Sequence, residues 1–109
     1  MSNKFRPHVY VLPEDAANRQ LANGFRLHES VANKEFKVLP EAGGWIKVRS
    51  QFEEVHIAEM KNNSLRYLVL LVDFDGKENR LEEIKKVIPP NLIERVFVIG
   101  VWLEPEDLK

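Results

Sequence analysis

Tyr67-Leu68-Val69-Leu70-Leu71-Val72-Asp73-Phe74-Asp75-Gly76 is an unbroken apolar run that enters two aspartates and closes on glycine. A short run of this kind, ended by a turn residue, is the pattern of a strand buried on both faces. Side chains alternate along a strand, so Asp73 and Asp75 share one side and Phe74 takes the other. Two carboxylates about 4 Å apart repel by roughly 4 kcal/mol at an effective dielectric near 20. A strand that ends this way shares a proton, holds a cation, or splays the pair into water. Asp and Gly are ordinary turn residues, so the solvated turn stands beside the cation site as an open reading.

The flanking segments alternate in type. His8 to Leu12 reads as a first strand closed by Pro13. Glu14-Asp15 leads into a helix over Ala16 to Phe25, with Asp15 as its N-cap and Ala17, Leu21 and Phe25 as its apolar stripe. Asn23-Gly24 weakens that helix by about 1 kcal/mol relative to alanine. Phe36 to Leu39 is a second strand ended by Pro40, and Ala42-Gly43-Gly44 is a tight turn. A second helix carries Trp45, Val48, Phe52 and Val55 on one stripe and breaks at Asn62-Asn63-Ser64. Leu81, Ile84 and Ile88 mark a third helix, stopped by Pro89-Pro90. Val96 to Val101 is a fourth strand. Leu103 to Lys109 reads as the first turn of a further helix, with Pro105 at its first position. Strands alternating with helices imply a parallel sheet. The expected fold is a Rossmann-like, three-layer α/β/α sandwich with a four-stranded, mainly parallel sheet, formed as one domain by residues 1–109.

Composition bounds the function. The 109 residues are 44% hydrophobic and 30% charged, which fits one globular domain with a real core. The formal net charge is −1, so contact with nucleic acid has to come from a local patch. With no cysteine, disulfides, thiolate metal sites and cysteine nucleophiles are excluded. The first residues lack the apolar stretch of a signal peptide, and Leu68 to Val72 is too short to span a bilayer. A cytoplasmic protein that avoids membranes is the expectation.

In parallel α/β sheets, ligands bind outside the carboxyl ends of the strands. Glu14 and Asp15 follow strand one, Asp73 and Asp75 follow strand three, and Glu104 and Glu106 follow strand four. Oxygen ligands in such a cluster suit Mg²⁺ or Mn²⁺. Arg19, Lys47, Arg49 and Lys77 stand near these strand ends. Each is a phosphate contact or a solvated cation balancing the acids. His8, His28 and His56 have no metal-ligand spacing and read as surface or strand-end residues. Trp45 and Phe52 read as core. Asn18 and Gln20 are helix-surface amides or orient a ligand near Glu14. Ser30, Ser50 and Ser64 have no paired base. Apolar Val101, Trp102 and Leu103 near the last strand's end suggest an interface with a second copy or a protein partner.

One Glu after strand one and Asp73-Phe74-Asp75 after strand three resemble the Toprim domain of topoisomerases, primases, OLD-family nucleases and small maturation ribonucleases. Ala42-Gly43-Gly44 looks like the glycine turn of the OLD-type branch, and Leu103-Glu104-Pro105-Glu106 is similar to its acidic stretch after strand four. Asp15 stands where Toprim proteins usually have glycine. The resemblance implies that Asp73 and Asp75 hold a metal and that Glu14 is a general acid/base or a further ligand. It implies a Mg²⁺-dependent phosphodiester-processing enzyme of nuclease type acting on nucleic acid, or a noncatalytic module that keeps the scaffold. Asp73-Phe74-Asp75-Gly76 also resembles the first motif of haloacid-dehalogenase phosphatases, but on the third strand and with Lys77 in place of Thr. The acids after strands one and three resemble response-regulator receivers, which add a fifth βα unit and a lysine.

Overall fold

The strand pattern of the sequence is realised as one sheet in which every pairing is parallel. The computed structural model describes residues 7–26, 35–73 and 78–101. Strands β1 (His8–Pro13), β2 (Glu35–Val38), β3 (Arg66–Asp73) and β4 (Val96–Val101) stand in the order β2-β1-β3-β4. His8 to Pro13 pair in register with Arg66 to Leu71, and Leu68 to Asp73 pair with Val96 to Val101. The central β1–β3 pair is the reason the segment from Tyr67 is so uniformly apolar: both of its faces are covered along most of its length.

Alternation sorts the strand side chains onto two faces. One face carries Leu12, Leu68, Leu70, Val72 and Val96 into a core shared with Val48, Phe52, Met60, Ile84 and Leu92. Those partners come from α2 (Trp45–Gln51), a π-helical segment (Phe52–His56), α3 (Ile57–Asn62), α4 (Glu78–Lys85) and a 3₁₀ turn (Pro90–Arg95). The other face packs Val11 and Leu71 against Ala22 of α1 (Ala16–Arg26). Three layers result: α1, the sheet, and the remaining helices. Each fully buried leucine or phenylalanine contributes about 1.5–3 kcal/mol of transfer free energy.

Two helical stripes differ from the sequence expectation. On α1 the buried positions are Asn18 and Ala22, whereas Ala17 and Leu21 face outward. Small side chains let the helix axis approach the sheet, so packing favours the Asn18–Ala22 line over the larger Leu21. In the second helical region Val48 and Phe52 are buried as expected, but Val55 is exposed and His56 takes its place. The π-helical segment is the cause. Each of its turns holds more residues than an α-turn, so the inward face shifts by one position and then continues at Met60. His56 is therefore an interior residue, and His8 is a buried strand-end residue.

The third helix ends at Lys85, before Pro89-Pro90, and Ile88 packs on the core from the turn that follows. Strand β2 is displaced one residue toward the N-terminus from its expected span, and β1 extends through Pro13. Gly43 and Gly44 adopt positive φ values of 102° and 135°, the backbone region that a tight turn reserves for glycine. The expected final helical turn and Trp102 lie outside the described residues.

Candidate functional site

The carboxyl edge of the sheet is built around Glu14. Its amide N–H donates to the Leu71 carbonyl at 2.9 Å, prolonging the β1–β3 ladder beyond β1. Its own carbonyl accepts the N–H groups of Gly43 at 2.8 Å and Gly44 at 3.1 Å, and the Pro13 carbonyl accepts that of Ala42 at 2.9 Å. Glycine is required in that turn, because the backbone has to double over Glu14 with positive φ. Held on both sides, Glu14 sends its side chain across to β3, where the Asp73 N–H donates to Oε1 at 2.7 Å. Glu14 and Asp73, far apart in sequence, thus meet at one sheet edge, as expected from their common place at strand ends.

Asp15 caps α1 by accepting the Asn18 N–H on Oδ1 at 2.9 Å. The Asn18 side chain is itself buried, and its Nδ2 has no hydrogen-bond partner among the described residues. Burial pushes the Glu14 carboxyl above its ordinary value. The Asp73 N–H opposes this, the charges of Asp15 and Asp73 add to it, and the Arg80 guanidinium pulls the other way.

Arg80 is the residue that the sequence pattern did not single out. Its Nη1 donates to the Asp73 carbonyl at 3.0 Å, and its guanidinium lies 5.6 Å from the Trp45 ring centroid. The signal was hidden because the Leu81–Ile88 stripe starts the helix after Arg80. Helix α4 in fact begins at Glu78 and so places Arg80 in its first turn, beside the end of β3.

The expected phosphate contacts divide. Arg19 is paired with Glu41 at 3.0 Å, and Arg49 with Glu83 at 3.2 Å and Glu53 at 3.9 Å. The Lys47 stem runs beside the glycine turn, its Cδ 3.6 Å from where a Gly43 Cβ would stand. Lys77, Asp75, Glu104 and Glu106 lie outside the described residues. Among the described residues, no three histidine, aspartate or glutamate side chains converge as a metal-ligand set. The carboxylates of Glu14 and Asp73 are hard oxygen donors at a partly buried edge, which fits Mg²⁺ or Mn²⁺ in kind.

The opposite edge of the sheet is also polar. Arg66, buried at the start of β3, donates from Nε to His8 Nε2 at 3.1 Å, from Nη1 to Glu59 at 2.6 Å and from Nη2 to the Tyr10 hydroxyl at 3.3 Å. His56 is buried near Glu59 and Arg66, and burial holds its imidazole below the ordinary range. Arg95 ties this end down by donating to the carbonyls of Asn63, Arg66 and Met60.

Fold and site define an all-parallel α/β protein with an acid-and-arginine carboxyl edge. The chain matches no protein-family model, no curated protein and no solved structure. No helix among the described residues is long and apolar enough to cross a membrane.

Proposed function

We propose that this chain is a Toprim-like, Mg²⁺- or Mn²⁺-dependent phosphodiester-processing protein of nuclease type that acts on nucleic acid. The observation that supports it is the junction of Glu14 with the end of β3, where the glutamate carboxylate lies on the Asp73 N–H. Glu14 and Asp73 would hold the ion together with Asp75, by the sequence resemblance. Once bound, such an ion neutralises charge on a phosphate and polarises it. Glu14 stands where a side chain could exchange a proton with a substrate oxygen beside β3. The glycine turn and the β1–β3 ladder fix its position before substrate arrives. The test is a nuclease assay at low salt with Mn²⁺ on DNA and RNA, comparing the wild type with Glu14→Gln and Asp73→Asn. Loss of cleavage in both variants is expected, and equal cleavage by all three proteins sinks the assignment.

A second reading is an assembly module without catalysis, acting as a homodimer or with a protein partner. It is favoured by β4, an edge strand without a charged residue that exposes Phe97 and Ile99. The other edge strand, β2, is shorter and carries Glu35 and Lys37. Edges are ordinarily protected by such charges and by shortness. On this reading light scattering finds a dimer that Phe97→Lys dissociates, and a wild-type monomer at high concentration removes it.

A further inference from the structure

The arginines whose side chains are described differ in how fully they are engaged. Arg19 and Arg49 are spent on carboxylates. Arg66 is spent on a carboxylate, an imidazole and a hydroxyl, and Arg95 on three backbone carbonyls. Arg80 is different. One of its N–H groups donates to the Asp73 carbonyl, and the others have no partner among the described residues. A guanidinium offers five N–H groups in a planar fork that matches the oxygens of a phosphate in pairs. Arg80 is half-buried and held in place by a backbone carbonyl and the Trp45 ring. Much of the ordering that an anion would otherwise impose on a free side chain is therefore already done.

We propose that Arg80 is the phosphate-holding residue of this edge, its free N–H groups taking two oxygens of a phosphoryl group beside Glu14 and Asp73. As a substrate contact this rests on the phosphodiester-processing reading, but Arg80's affinity for phosphate is measurable without it. The assignment falls on Arg80 and not on Arg19 or Arg49, whose charges are met by Glu41, Glu53 and Glu83. The two acids beside Arg80 repel an anion when no metal is bound. Replacing Asp73 with asparagine lifts part of that repulsion and keeps the backbone carbonyl on which Arg80 rests.

The experiment is a titration with inorganic phosphate in the presence of a chelator, followed by calorimetry at low salt. It compares the wild type, Asp73→Asn, and Asp73→Asn combined with Arg80→Gln, Arg80→Lys or, as a control at the other sheet edge, Lys61→Gln. Asp73→Asn is expected to bind phosphate more tightly than the wild type. Adding Arg80→Gln weakens that binding by about tenfold or more, Arg80→Lys by less because a point charge remains, and Lys61→Gln leaves it unchanged. Phosphate binding that survives Arg80→Gln in a folded protein, or no binding by Asp73→Asn, overturns the proposal. Where Arg80→Gln does not fold, undiminished binding by Arg80→Lys overturns it, because the fork geometry would then be irrelevant. Mn²⁺ binding by the wild type is measured separately. Mn²⁺ bound with no Arg80 effect removes the subsite and leaves the metal reading standing. An Arg80 effect without Mn²⁺ binding does the reverse.

Discussion

Arg66 and His56 show how much a single side chain can decide here. The Arg66 guanidinium is almost fully buried, and its partners come from β1 and α3. Glu59 is half-exposed, so its Coulomb contribution is discounted by solvent. The larger cost of losing Arg66 is the loss of its hydrogen bonds to His8 and Tyr10 and of its packing over the Tyr10 ring. Arg66→Met is expected to lower unfolding free energy by about 2–3 kcal/mol and Glu59→Gln by under about 1 kcal/mol, both read from urea denaturation. His56 supplies a pH dependence. Burial holds its folded pKa below the ordinary 6.5, Arg66 lowers it further and Glu59 raises it. The unfolded chain therefore takes the proton more readily. The stability that neutral His56 contributes is complete above about pH 6.5 and is lost as pH falls from there toward the folded value. Between pH 7 and pH 5 the wild type should lose stability more steeply than His56→Gln; parallel profiles would assign the loss to other groups. Neither residue's role was legible in the sequence, since the surroundings of a buried polar side chain are set by pairings tens of residues away. Arg80 was hidden because the apolar stripe starts its helix only at Leu81, while Glu14 and Asp73 were legible because each stands at the end of a recognisable apolar strand.

At the scale of elements, apolar runs marked β1, β3 and β4, because a buried parallel strand has few other ways to be written, while the edge strand β2 was marked by Phe36, Val38 and the closing Pro40. Helix faces were harder to read. The α1 stripe through Leu21 has the right period and the wrong phase, because the close approach of α1 to the sheet selects Ala22. In the region from Trp45 to Asn62 the period itself changes at the π-helical segment. Its shape suggests one surplus residue between two α-helical stretches. Deleting exposed Glu54 should let the helix run through as continuous α, keeping Phe52 and Met60 inward, at a cost of about 1–2 kcal/mol by analogy with ordinary point changes. Deleting Ile46, inside regular α2, rotates everything before it by roughly 100° about the axis and should cost far more. Thermal melts of the two deletions decide the point, and equal losses would show that the segment is no adjustable insert.

Across the whole molecule, stability depends on the β1–β3 pairing, whose partners are separated by 58 residues at His8 and Arg66. Neither β1 nor β2 can bury its apolar face without β3, so a fragment of residues 1–62 is expected to lack a cooperative melt by circular dichroism; a sharp transition in that fragment would contradict this. The same separation has a meaning on the ribosome. At roughly 5–20 residues per second, some 3–12 s pass between synthesis of Pro13 and of Asp73. Through that interval the first strand is a sticky, unmatched ribbon, and the nascent chain is at its most vulnerable to capture by chaperones or by neighbouring chains.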